Sequence, residues 1–426
     1  MMLQSLKSHD DAAMGALAAQ VFDGIRALSP DTAGVSRPAF SDIETRTLDW
    51  LADFGRTEGL HVEEDAGRNL LFCLPKDAQA ESWVLIGSHV DSVPMGGNYD
   101  GLAGVVAGLI VLIRAARSGR SFRRPVKCLA MRGEESAWFG ACYLGSKMLT
   151  GQLPNAELTA AHKGDGRSLR DHLDGLGIDT APLAARTPIC DLSKIEGYLE
   201  LHIEQGPLLV ERGLPAAVVS GIRGNFRHRL VRCIGEAGHS GAVPRAYRHD
   251  PVLAFAELMH RLDDTWNHLL RTGRDLVLTS GIVGTDPASH AISRIPDELG
   301  FSLDIRSQDA AILDQMRAYL REQMDDIGRS RGVRFDTGAE VAVAPALMDP
   351  TVIVGLETAM ARVTDEPFTM PSGGGHDAAI FAQAGIPAGM VFVRNRNGSH
   401  NPDEAMEIGD FLVGTAILSA YLEAEE

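Results

Sequence analysis

Side chains able to hold a metal ion or move a proton recur where apolar runs give way to glycine-rich turns. His89 closes the run Trp83-Val84-Leu85-Ile86-Gly87-Ser88, Asp91 follows two residues on, and Asp100 stands in the turn Gly96-Gly97-Asn98-Tyr99-Asp100-Gly101. Glu134 and Glu135 come directly after Val126–Met131 and Arg132-Gly133, His202 lies within Leu199–Glu204, and His400 ends the loop that leaves Met390–Val393. Imidazole and carboxylate donors without thiolate suit one or two divalent ions such as Zn, Mn, Co or Ni, and argue against an iron–sulfur centre. Adjacent side chains on extended backbone point to opposite sides, so Glu134 and Glu135 divide the work. One binds metal while the other takes a proton from the water that the metal acidifies. That is the chemistry of a metallohydrolase. Taken singly, a strand-end histidine or a Glu-Glu pair is more often structural or solvated; what favours a site is their joint recurrence at strand ends. Asp377, in Ser372-Gly373-Gly374-Gly375-His376-Asp377, is expected to cap the helix that follows, and the glycine run lets backbone approach a substrate. Neither G-x-S-x-G nor a Walker sequence occurs.

Strands must carry these residues, and the sequence offers them. The continuous apolar run Trp83–Ile86 and the mostly apolar run Val126–Met131 are separated by a segment rich in Ala, Val and Leu from Gly101 to Arg114. The first two read as strands covered on both faces and the third as a buried helix, which predicts an α/β fold: a mixed, mostly parallel sheet with helices on both faces. Asn69–Leu74 and Met390–Val393 read as further strands, and Leu199–Glu204 alternates apolar with polar. Open α/β sheets place their ligands at the carboxyl ends of strands, where these candidates lie. Ser41-Asp42-Ile43-Glu44 reads as a capping box opening a helix, with Leu48, Leu51 and Phe54 at helical spacing until Gly55 and Gly59 break it. From about 214 to 332 the texture changes. Strands are expected near Phe226–Ile234, Leu276–Val283 and Phe301–Ile305, with helices at Pro251–Trp266 and Asp309–Gly328, the second carrying Ile312, Met316, Tyr319 and Leu320 on one face. This predicts a small α+β domain, 214–332, inserted into a catalytic domain made of 1–213 and 333–426.

The 426 residues include 40 basic and 57 acidic side chains, a net charge of −17 with His neutral, and 45% are hydrophobic. Such a balance supports a large core and excludes wholesale disorder. An acidic chain without a basic stripe repels phosphate backbones, so no nucleic-acid partner is expected. No apolar run approaches the ~20 residues of a membrane span, and the start MMLQSLKSHDDAAMG lacks a secretory pattern. The cysteines Cys73, Cys128, Cys142, Cys190 and Cys233 are scattered without CxxC spacing, which fits reduced thiols in a cytoplasm better than a disulfide framework.

The pieces Gly87-Ser88-His89-Val90-Asp91-Ser92-Val93, Gly96–Gly101, Arg132–Ser136, His202-Ile203-Glu204-Gln205-Gly206, Gly238-His239-Ser240-Gly241, Phe301–Arg306, Gly374-Gly375-His376-Asp377-Ala378 and Ser399-His400-Asn401-Pro402 together resemble the M20 metallopeptidase clan. More narrowly they resemble its amidase branch of N-carbamoyl-L-amino acid hydrolases, β-ureidopropionases and allantoate amidohydrolases. His202 within HIEQG separates this branch from ordinary M20 peptidases, where an acidic residue usually stands. The resemblance implies two divalent metal ions bridged by Asp100, one completed by His89 and His202 and the other by Glu135 and His400. It makes Glu134 the general base and Asp91 the residue that orients His89. It implies a non-proline cis bond at Asp100-Gly101, and an inserted lid that also pairs subunits into a homodimer. From that lid His239 would face the developing oxyanion and Arg306 the substrate carboxylate. Gln205 would contact the ureido group, and Gly374 and Gly375 the substrate. Ser293 stands where relatives usually carry an Asn, and Ala242-Val243-Pro244 replaces their Thr-Thr-Pro. The expected reaction is hydrolysis of an N-carbamoyl-L-amino acid to amino acid, ammonia and carbon dioxide, with allantoate or a related ureide as the alternative substrate and an M20 aminoacylase or peptidase activity third.

Overall fold

The computed structural model describes residues 2–423; Met1 and residues 424–426, which the sequence reading assigns to the catalytic domain, lie outside the described residues. Two compact units divide the chain, Met1–Ser220 with Leu347–Glu426, and Gly221–Ala346. Both boundaries fall later than the sequence placed them. The strand Ala216–Ile222 joins the large sheet, while Arg334–Asp336 and Glu340–Val343 both pair with Gly224–Ile234 in the small one.

The large sheet has nine strands. At its centre Val126–Met131, Trp83–His89, Ile195–Ile203 and Ala388–Val393 lie side by side and all parallel. Antiparallel neighbours flank them, Leu70–Cys73 on one side and Ala216–Ile222 on the other. The chain proceeds outward in opposite directions from the boundary between Trp83–His89 and Ile195–Ile203, the switch point at which such sheets leave a crevice. Register levels the strand ends there: His89 stands opposite Met131, and His202 opposite Phe392.

The alternation in Ile195–Ile203 divides two layers. Leu199, Leu201 and Ile203 join the main core, which includes the helices Leu102–Ser118 and Ile408–Leu422. The polar residues on the opposite face are sealed rather than solvated. Tyr198 stacks on Phe381 with ring centroids 4.0 Å apart, and Glu200 accepts a hydrogen bond of 2.9 Å from the Ala378 N–H. A strand glutamate therefore serves the first turn of the helix Asp377–Gln383. Asp377, expected to be its cap, is instead the first helical residue and receives the Ser146 hydroxyl.

The helix Asp42–Thr57 forms as expected at its start and runs through Gly55. Ser41 accepts from the Glu44 N–H at 3.3 Å, but the box does not close, because the Ser41 N–H goes to Pro38 O. Glu44 turns its carboxylate inward instead. A helix over Met2–Leu28 was not anticipated, although Met14, Ala18, Val21, Phe22 and Ile25 are buried at helical spacing.

In the smaller unit Gly224–Ile234 and Glu298–Ser307 form the centre of a six-stranded antiparallel sheet. Leu299, Phe301, Leu303 and Ile305 alternate inward and share a core with Leu258, Leu262, Ile312, Met316 and Leu320 of the helices Pro251–Arg271 and Ala310–Arg331. Among the described residues no helix is long and apolar enough to cross a membrane.

Candidate metal centre

Each central parallel strand ends at a donor. Glu135 follows Val126–Met131, His89 ends its strand, His202 lies one residue from the end of Ile195–Ile203, and His400 follows Ala388–Val393 by a short loop. Asp100 comes from the turn after His89, and the five meet around it. His202 Nε2 and His89 Nε2 lie 3.2 and 3.6 Å from Asp100 Oδ1. His400 Nε2 lies 3.4 Å from Asp100 Oδ2 and 3.2 Å from Glu135 Oε1. Two three-donor groups thus share one carboxylate: His89, Asp100 and His202, then Asp100, Glu135 and His400.

The imidazoles are held in the tautomer that metal ligation needs. Asp91 O and Oδ1 each stand 3.2 Å from His89 Nδ1, and Ile203 O is 2.9 Å from His202 Nδ1. Both Nδ1 atoms can then carry the proton and leave Nε2 free toward Asp100. Asp91 has a second task that the sequence did not reveal. Its Oδ1 and Oδ2 accept from the backbone N–H groups of Glu134 and Glu135 at 2.9 and 3.0 Å. One carboxylate therefore fixes an imidazole and the segment bearing both glutamates. Glu44 braces that segment from behind, accepting from Gly133 N–H at 3.0 Å and from Arg132 Nη1 at 2.7 Å. Glu404 holds the other side, accepting from Tyr99 N–H at 2.8 Å and Asp100 N–H at 3.3 Å, with Ser399 bridging it to Asp100.

Gly101 turns the chain beside Asp100 with φ 66°, and a Cβ there would lie 2.3 Å from the His89 ring. The Asp100–Gly101 bond is trans, a correction to the resemblance. Gln205 donates to Asp100 Oδ2 at 2.8 Å, so its carboxamide is anchored on the centre. Its other end faces Gly374, where a Cβ would come within 2.7 Å of Oε1, and a Cβ on Gly375 would strike the Tyr143 hydroxyl. The glycine run is thus where backbone passes close to Gln205 and Tyr143, the latter missed by sequence reasoning.

Glu134 is buried with Oε2 3.9 Å from His89 Nε2. Burial pushes its carboxyl well above the usual range, and the charges of Glu135, Asp377 and Asp91 add to the effect. Burial also raises Glu135. It acts on Asp100 too, but hydrogen bonds from His202, His400 and His89 prevail and hold that carboxyl well below normal. Burial opposes charge on His89 and His202, yet their carboxylate neighbours lift both. Hydrogen bonds to Asp100 and Glu135 lift His400 to about 10. Without metal the cluster retains protons on its imidazoles to balance crowded carboxylates. A divalent cation supplies that positive charge instead, so donor types, tautomers and charge all fit one.

His239, Ser293 and Arg306 belong to the smaller unit. Gly238–His239 pairs antiparallel with Arg294–Ile295, and Ser240 N–H donates to Ser293 O at 2.8 Å, which brings His239 and Ser293 onto one ribbon. His239 is exposed. Arg306 lies against Asp304, with Nη2 to Oδ2 at 2.7 Å.

A parallel-centred sheet with imidazole and carboxylate donors clustered at its switch point defines a metal-dependent hydrolase of the α/β type. The chain belongs to the peptidase family M20/M25/M40, which residues 85–424 match. It is 35% identical to an N-carbamoyl-L-amino acid amidohydrolase of Geobacillus stearothermophilus, over 90% of this chain and 92% of that one. To the allantoate amidohydrolase of Escherichia coli strain K12 it is 33% identical, over 91% and 92%. Among solved structures, a hydantoinase/carbamoylase family amidase from Burkholderia ambifaria aligns with a TM-score of 0.81 at 29% identity, covering 97% of this chain and 98% of that one.

Proposed function

We propose that the chain hydrolyses the ureido C–N bonds of a small N-carbamoyl-L-amino acid, releasing amino acid, ammonia and carbon dioxide. The observation that carries this reading is the pair of donor groups sharing Asp100, in a chain about one third identical to amidohydrolases of carbamoyl and ureide substrates. Two divalent ions, Zn, Mn, Co or Ni, held by His89, Asp100 and His202 and by Asp100, Glu135 and His400, would polarise the carbonyl and acidify a water. Glu134, its carboxyl raised by burial, takes the proton of the attacking water and returns it to the departing nitrogen. Asp91 keeps His89 and the Glu134–Glu135 backbone in register through this transfer. Gln205, anchored on Asp100, presents its carboxamide to the ureido group beside Gly374 and Gly375. His239 donates to the carbonyl oxygen as negative charge develops there, and Arg306 grips the substrate carboxylate. Ser293, shorter than a carboxamide, adjusts that recognition. The homodimer and a cytoplasmic location belong to the same reading, with the smaller unit, Gly221–Ala346 rather than the 214–332 first delimited, serving as lid and pairing surface.

Allantoate is the second substrate to weigh, since identity to its hydrolase is 33% against 35% for the carbamoylase. Ammonia release from N-carbamoyl-L-amino acids and allantoate, beside release of free amino acid from formyl and acyl amino acids, measured with each of the four metals, decides between them. Faster turnover of N-carbamoyl-L-amino acids supports the proposal; turnover of acyl amino acids alone would overturn it.

A further inference from the structure

A second set of imidazole and carboxylate donors lies outside the centre described above. His162 and Asp165 stand in the loop before the helix Leu169–Gly175, and His172 in that helix. His162 Nδ1 and His172 Nε2 both lie 3.3 Å from Asp165 Oδ1, and the three donor atoms fall within 4.8 Å of one another. A tetrahedral ion with bonds of about 2.0–2.1 Å sets its ligand atoms about 3.3 Å apart. These spacings resemble those at the main centre, where donors stand 3.2 to 3.6 Å from Asp100.

The surroundings fix both rings. Trp138 stacks on His162 at 5.7 Å with the planes 11° apart, and Phe139 meets His172 edge-on at 5.2 Å. Both imidazoles are only 10% exposed while Asp165 is 43% exposed, so the donor atoms are held by aromatic walls with one side open to water. The loop conformation is independently pinned: His162 N–H donates to Arg167 O, Lys163 N–H to Trp138 O and Gly166 N–H to His162 O, each at 2.8 Å. Asp165 Oδ1 also accepts from Arg167 N–H at 3.0 Å. His162 Nδ1 accepts from the N–H groups of Gly164 and Asp165 at 3.2 and 3.3 Å, at the long end of the hydrogen-bond range. Those contacts place the lone pair, not the proton, on Nδ1, and the two N–H groups must turn aside when an ion takes it.

We propose that His162, Asp165 and His172 form a third, accessory site for a borderline divalent cation such as Zn(II), with water filling its remaining position. Two imidazoles and one carboxylate suit Zn over the hard cations Mg and Ca. The ion ties the 161–168 loop and its helix to Trp138, three residues beyond Glu135, and takes no part in hydrolysis.

The test is metal content of the full-length protein, stripped, equilibrated with Zn(II) and freed of unbound metal. Wild type should retain about one more ion per chain than His172→Asn or Asp165→Asn, and both variants should keep ammonia release within about two-fold of wild type. Asp165→Asn changes a half-exposed side chain and guards against a folding defect in the histidine variant. As a second readout, the tetrahedral absorption of the Co(II)-loaded protein should fall by the accessory site's share when either residue is changed, the absorption of the main centre remaining. Equal zinc content in wild type and Asp165→Asn would overturn the site, whatever the fate of the main centre.

Discussion

The larger unit and the smaller one treat their functional side chains in opposite ways. Around Asp100 most of the donors are gripped by another group: His89 by Asp91, His202 by a backbone carbonyl, Asp100 by Gln205 and Ser399, and the Glu134–Glu135 backbone by Asp91, while the half-exposed His400 faces Asp100 and Glu135. In the smaller unit His239 and Ser293 sit exposed on a two-stranded ribbon. The first arrangement is complete within one unit and costs nothing to reorganise when charge must be stabilised. The second leaves His239 and Ser293 in water, while Arg306 is held against Asp304. The metal-donor cluster is therefore built in, and on the reading proposed above recognition is left to the exposed ribbon.

The sharpest way to break that contrast is to remove the proton carrier while leaving the ligands. Glu134→Gln should keep its metal and lose about 10²–10⁴ in kcat, the range for a general base. Metal analysis beside steady-state ammonia release checks it, and undiminished turnover would remove the assignment. His239→Ala probes the other side. It should lower kcat by about 10²–10³, as loss of one oxyanion donor does, with metal content untouched. Loss of metal in that variant would contradict the division between the two units. Asp91→Asn should fall between chemistry and structure. An amide cannot accept from two backbone N–H groups and also serve His89, so metal affinity should drop about 10–100-fold, read by competition with a chelator.

What the sequence disclosed follows the same division. His89, Glu135, His202 and His400 were legible as candidate donors because each lies in or just past a run that reads as a strand, and Asp100 because it stands in a glycine-rich turn; their grouping around Asp100 was expected only from the resemblance. Glu44 was read as a local cap because its spacing from Ser41 is right, yet its partner Arg132 is 88 positions away. Glu404 reaches back 305 positions to Tyr99, and Glu200 reaches 178 to Ala378. No periodicity reports such contacts, since they depend on which strand ends the fold brings together. Tyr143 and Ser146 were silent for the same reason. Ser399 was quoted only as part of a motif, without a role. The buried spacing of Met14, Ala18, Val21, Phe22 and Ile25, by contrast, could have announced the first helix.

The smallest expected effect concerns stability without metal, and its sign follows from the proton balance. His400 is lifted to about 10, Glu44, Asp377 and Glu404 to about 7, and His89, His202, Glu134 and Glu135 are also raised. The metal-free native state therefore binds more protons than the unfolded chain, and stability falls as pH rises. For the imidazoles the contribution is complete below about 6.5, the unfolded value, and disappears as pH passes through their folded values, about 10 for His400. For the raised carboxyls the loss begins above about 4.3, their unfolded range, and is finished once the folded values near 7 are passed. Asp100 and His376 run the other way. The lowered Asp100 carboxyl is ionised in both states above about pH 5, so its stabilisation is complete and adds nothing to the slope there. His376, lowered by burial, opposes the trend only below about 6.5. Thermal unfolding of the stripped protein should thus drop by a few degrees between about pH 6 and 9. Reloading with Zn(II) should flatten that slope, because the cation displaces the protons on which the dependence rests. The dense polar network of the larger unit predicts this slope and the exposed donors of the smaller unit do not, so a flat profile in the stripped protein would dissolve the distinction between them.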